Sequence, residues 1–134
     1  MTRRGLQVTL TILGGVAVIL GGVGVLTGGA GVLDGGKVSA SVDSEMRFFA
    51  AWYVAGGMLM LRSVRRIETD IGVIRITCAA WLIAACGRVL SILVVGSPHP
   101  IFLVLMAFEF AIPIVVAPWL AAVTRTGGDG AGPT

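Results

Sequence analysis

The chain has 134 residues, 56% of them apolar and only 13% charged, with mean hydropathy +0.96 and a formal charge of +3. Soluble domains carry about 25% charged residues, so the deficit excludes an ordinary soluble protein, and the length leaves no room for a second domain. The pI near 9.5 does not imply nucleic-acid binding, because the basic residues cluster at the ends of apolar runs, where topology signals lie.

The first apolar run covers about residues 6–27 behind Arg3 and Arg4, and its length suits a membrane helix of about 20 residues. The competing reading is a signal peptide cleaved near Val38-Ser39-Ala40. The run is longer than a signal core, so retention is expected. Its glycines, among them Gly14, Gly21, Gly24 and Gly28, occur at spacings that let helix backbones approach. Packing within the chain and homodimerisation both fit that pattern.

Residues 28–44, rich in Gly, Ser and Asp, read as a loop with one turn around Val32 and Leu33. Asp43 or Ser44 is expected to cap a second helix over about 45–61, with Glu45 in its first turn. Arg62, Arg65 and Arg66 close it. The third span covers about 71–95 and the fourth about 101–123, joined by Gly96-Ser97-Pro98-His99-Pro100. Trp119 falls near an aromatic-belt position, and residues 127–134 read as a disordered cytoplasmic tail. The fold class is therefore all-α, a four-helix transmembrane bundle. Arg3, Arg4, Arg62, Arg65, Arg66 and Arg125 flank one side against Lys37 and Arg47 on the other, which places both termini in the cytoplasm by the positive-inside rule.

The candidate site is Arg88 with Glu109. Arg88 lies roughly 12 Å before the turn and Glu109 roughly 13 Å after it, at the same depth on antiparallel neighbours. An ionisable group at that depth costs several kcal/mol unless it is paired, hydrated or functional. Pro113 removes the amide that would bond the Glu109 carbonyl, and Pro118 does the same for Ile114, so a kinked fourth helix is expected. Arg47, about one turn inside the outer end of the second helix, can extend inward or snorkel up; pointing inward it would join the cluster with Glu45 near the rim, a surplus of positive charge suited to an anionic or polar head group. The first reading of Arg88–Glu109 is a plain lock between helices three and four, and a ligand-facing role is the alternative. Arg75 is expected to snorkel to phosphates, and His99, Trp52, Tyr53 and Trp81 to be structural. Cys78 and Cys86 stand about 12 Å apart on a helix, too far for a disulfide, and no metal motif or cofactor signature occurs.

Three strings carry a resemblance: Glu45-Met46-Arg47, Gly87-Arg88-Val89-Leu90-Ser91 and Gly96-Ser97-Pro98-His99-Pro100. Together with Glu109 they resemble a family of uncharacterised bacterial four-helix integral membrane proteins, a domain of unknown function, over roughly residues 6–124. Val95 departs from it, standing where the family often has an aspartate. The resemblance implies a bacterial inner-membrane location and a polar set of Arg47, Arg88 and Glu109, and it implies no activity. The expected role is a non-enzymatic accessory subunit whose partners are the bilayer and other membrane subunits or a second copy. The alternative is lipid or small-molecule binding or transport. Small four-helix drug exporters keep an essential carboxylate in their first helix, which this chain lacks, and no nucleophile–base arrangement suggests an enzyme.

Overall fold

The computed structural model describes residues 2–128, all helix and loop with no strand among them. Four α-helices follow in order: α1 (Arg3–Thr27), α2 (Ala40–Ser63), α3 (Ile71–Val95) and α4 (Pro100–Gly128), with a 3-10 turn at Gly28–Gly31. By length and composition α1, α3 and α4 can cross a membrane. α2 is not among these candidate spans. Only fourteen uncharged residues separate its Arg47 from Arg62, and Trp52, Tyr53, Gly56 and Gly57 dilute their hydropathy.

Two compact units divide the chain, one formed by Thr9–Val64 and the other by the residues up to Val8 with those from Arg65 on. In the first, α1 and α2 form an antiparallel hairpin packed backbone to backbone. A Cβ on Gly21 would lie 2.7 Å from the Ala50 carbonyl oxygen and the Val54 nitrogen. One on Gly57 would lie 2.7 Å from the Gly14 oxygen. Glycine weakens an isolated helix by roughly 0.5–1 kcal/mol relative to alanine, and here it permits a contact that no side chain would allow.

The second helix begins earlier than expected. Its N-cap is Ser39, whose hydroxyl accepts from the Val42 N–H at 3.4 Å, and neither Asp43 nor Ser44 caps it. Ser39-Ala40-Ser41 reads as loop by composition, yet a serine before an acidic first turn is a good helix start, and Asp43 supplies the acid where Glu45 was expected. The expected turn at Val32 and Leu33 is present, closed by the Gly35 N–H donating to the Val32 carbonyl at 3.0 Å, and a 3-10 turn precedes it.

In the second unit α3 occupies residues 71–95 as expected. It stops at Gly96, whose φ of 113° suits glycine and whose N–H bonds the Ile92 carbonyl. Pro100 opens α4 at its first position, where a missing N–H is harmless. The His99 carbonyl accepts from Phe102 N–H at 2.9 Å and its Nδ1 from Ile101 N–H at 3.3 Å. α4 passes unbroken through Pro113 and Pro118 to Gly128, beyond the expected end at 123, and residues 129–134 of the expected tail lie outside the described residues. Ile67, fully buried, anchors the turn between Ser63 and α3.

Candidate functional site

The buried residues of α3, Ile74, Cys78 and Ala85, recur at helical spacing, and Arg88 continues the same stripe three residues on. On α4, Val116, Leu120 and Val123 form the buried stripe, and Glu109 continues it seven residues earlier. Both charges thus belong to the seam that joins the two helices. Arg88 Nε donates to Glu109 Oε2 at 2.8 Å and Nη2 donates to Oε1 at 3.1 Å, a two-pronged pairing in which the planar fork of the guanidinium matches both carboxylate oxygens.

The two partners differ in exposure. The Glu109 side chain is 10% exposed, whereas the Arg88 side chain keeps 32% of its surface accessible. The guanidinium carbon also lies 5.9 Å from the ring centroid of Phe102, two turns before Glu109 on α4. A cation over an aromatic face is favourable, by about 0.5–1 kcal/mol where exposed and more when desolvated. The arrangement neutralises a carboxylate at membrane depth, and about a third of the Arg88 side-chain surface stays accessible.

Arg47 has its partners within the α1–α2 unit. Its Nε donates to Asp43 Oδ2 at 2.8 Å, and Nη1 donates to the carbonyls of Val25 at 2.6 Å and Leu26 at 3.0 Å. These are carbonyls of the last turn of α1, which have no intrahelical amide, so Arg47 acts as a side-chain cap on a neighbouring helix. Asp43 completes the device by accepting from the Gly29 N–H at 2.8 Å. Gly28, at φ 57°, turns the chain there, and a Cβ on it would collide with Asp43 Oδ1. Glu45, expected at the rim, is exposed on α2.

Gly14, Gly21 and Gly24 face α2, and Gly28 faces Asp43 and Arg47. Cys78 is buried and Cys86 exposed, both as free thiols. Among the described residues no group of three or more His, Cys, Asp or Glu could hold a metal ion.

Several features escaped the sequence reading. The Asp43–Arg47 pair is visible as an i, i+4 spacing, but its grip on the end of α1 is not. Arg3 pairs with Glu68 at 2.6 Å across 65 positions of sequence, with no local signal at all. That bond from Arg3 holds the Glu68 carboxyl below its ordinary value. The indole N–H of Trp119 is buried without a hydrogen-bond partner among the described residues, with the ring packed so closely on Gly5 that a Cβ there would meet Cζ2 at 2.8 Å.

Residues 5–120 match a family described as "Domain of unknown function (DUF4345)". The chain belongs to the DUF4345 family. No curated protein and no solved structure matches it. The DUF4345 match takes in both hairpins, so Arg47, Arg88 and Glu109 all lie inside it.

Proposed function

We propose that this chain is a multi-span protein of the bacterial inner (cytoplasmic) membrane that serves as a non-enzymatic accessory subunit of a larger membrane complex. The observation that carries the reading is α3. Apart from Arg75, Arg88, Thr77 and Ser91 it is built of apolar and small residues, yet among its 25 residues the buried ones are Ile74, Cys78 and Ala85. Ile76, Ile83, Leu93 and Val94 are strongly exposed, and Gly72 and Gly87 have open space where a Cβ would stand. A helix that leaves so many large apolar side chains exposed needs a non-aqueous surround, and small residues on its open face let another helix approach closely.

In this reading α2 crosses as well. Its fourteen uncharged residues span about 21 Å, and Arg47 and Arg62 at either end extend that reach by snorkelling towards a hydrocarbon thickness of about 30 Å. The arginines beside α1, α2, α3 and α4 favour cytoplasmic termini. The test is affinity purification in mild detergent followed by mass spectrometry. A defined set of membrane subunits should co-purify and be lost from Gly87→Leu while helicity is kept. A chain that elutes alone, or only with itself, overturns the proposal.

A second reading, lipid or small-molecule binding or transport at Arg88–Glu109, is favoured by the partly accessible Arg88 side chain beside its buried partner. It expects the co-purified lipid profile to change in the Arg88→Leu/Glu109→Leu double variant. An identical profile in a folded variant removes it.

A further inference from the structure

On the reading in which α2 crosses the membrane, we propose that its face turned away from α1 binds a zwitterionic phospholipid by the headgroup ammonium, held between the Glu45 carboxylate and the rings of Phe48, Phe49 and Trp52. Phe48 is 56% exposed, Phe49 60% and Trp52 64%, and Glu45 is exposed beside them. Neither the glycine contacts of α1 nor the Arg88–Glu109 pair uses these rings.

One helix brings the four residues together. Positions 45, 48, 49 and 52 are spaced three and four apart, and at about 100° per residue they fall within an arc of about 100°. Ala50, Val54, Gly57 and Leu61, which meet α1, lie on the opposite side of α2. The rings pack on one another, with the Phe48 centroid 5.5 Å from that of Phe49 and 6.2 Å from that of Trp52, both edge to face. Helical side chains lean towards the N-terminus, so the two phenylalanine rings cover the turn that carries Glu45.

Charge and shape narrow the occupant. The face of an aromatic ring is negative and attracts an ammonium group, and a carboxylate beside it adds to the pull. Among the described residues Glu45 forms no ion pair, and Arg47 is committed to Asp43 and the carbonyls of α1. An anionic lipid would meet Glu45 as a like charge. A partner helix would be held off by the rings, because helices in a bilayer approach through small residues. Rings just inside a charged residue belong to the headgroup boundary, and Glu45 to Trp52 spans about 10 Å of helix. An ammonium-bearing phospholipid fits both parts, its acyl chains continuing past Trp52 over the exposed Ala55 and Leu59.

The test uses the full chain in a mild non-ionic detergent, titrated with phosphatidylethanolamine or phosphatidylglycerol of matched acyl chains and read by native mass spectrometry. Phosphatidylethanolamine should be retained well above phosphatidylglycerol. Glu45→Gln and Trp52→Leu should each weaken its retention about fivefold, the equivalent of ~1 kcal/mol for a lost ion-pair or cation–π contact. Asp34→Asn makes the same change of net charge in the exposed loop and should leave retention unchanged, as should Arg88→Leu/Glu109→Leu. Equal retention of the two lipids overturns the proposal, as does unaltered binding in a folded Glu45→Gln/Trp52→Leu double variant. An equal loss from Asp34→Asn would reveal net charge alone, and a loss from Arg88→Leu/Glu109→Leu would assign the lipid to that pair; either sinks the site. A photoreactive residue in place of Ala55 should crosslink to lipid in native membranes, and a crosslink to a protein subunit instead would give this face to a partner helix and overturn the proposal. Lipid retention by the purified chain does not depend on co-purifying subunits, so the lipid site and the accessory role can fail separately.

Discussion

The two hairpins solve one problem by different physics. α1 and α2 meet through glycines, so closely that backbone oxygen and nitrogen stand 2.7 Å from where a Cβ would be. α3 and α4 meet through side chains, with an ion pair continuing a seam of Ile, Cys, Ala, Val and Leu. Close backbone packing gains dispersion contacts over a long strip and fails gradually with each added atom. An ion pair concentrates its contribution at one depth, and removing either half leaves a charge in a medium that tolerates none.

The largest expected effect tests the second hairpin. Arg88→Leu should destabilise the α3–α4 unit by about 3–5 kcal/mol because it strands the buried Glu109 carboxylate, and Glu109→Leu should cost less because the Arg88 side chain is partly accessible. The Arg88→Leu/Glu109→Leu double change should be tolerated markedly better than either single one, since apolar replacement of a whole buried pair is often neutral or stabilising. Unfolding titrations in detergent micelles read the difference. Singles and double equally destabilised would mean that the pair contributes shape and hydrogen bonds that leucine cannot replace.

The first hairpin should show a smaller, strictly positional effect. Gly21→Ala places a methyl against the Ala50 carbonyl and the Val54 nitrogen, both backbone atoms, so the helices must separate at a loss of about 1–3 kcal/mol. Gly15→Ala adds the same methyl where nothing lies within 4 Å and should be harmless. The same unfolding titrations compare the pair. Equal sensitivity at the two positions would show that helix propensity, and not close approach, governs these glycines.

That positional contrast also shows what could be read in advance. Glycine content marks α1 as a close-packing helix, and its spacing selects Gly14, Gly21 and Gly24, but only the coordinates separate these from Gly15 and Gly22, which face open space. The α3–α4 hairpin was legible because apolar length, a Gly-Pro turn and two isolated charges at equal depth are all one-dimensional signals. Arg47 was not. Its depth leaves inward and snorkelling orientations open, and its role depends on where the last carbonyls of α1 end up, a question of chain geometry across the 28–39 loop. The start of α2 was misplaced because Ser39 caps through a hydroxyl that composition alone counts as loop.

The smallest expected effect lies outside both seams. Arg3 and Glu68 pair at 2.6 Å with both side chains about half exposed, so solvent and salt screen the attraction. The Glu68 carboxyl is held below its ordinary value chiefly by the hydrogen bond from Arg3. A carboxylate lowered on folding contributes stability that is present above its unfolded pKa, about 4.3, and is lost as pH falls through the lower folded value. The α3–α4 unit should therefore lose a small increment of stability on acidification below about pH 4. Glu68→Gln should remove that increment and leave the neutral midpoint nearly unchanged. Raising the salt concentration at neutral pH should shrink the wild-type advantage over Glu68→Gln further, whereas the Arg88–Glu109 contribution should hardly respond, because a buried pair is poorly screened. A salt response of equal size in both variants would mean that the two pairs share one dielectric environment, and the contrast between a seam and a surface contact would collapse.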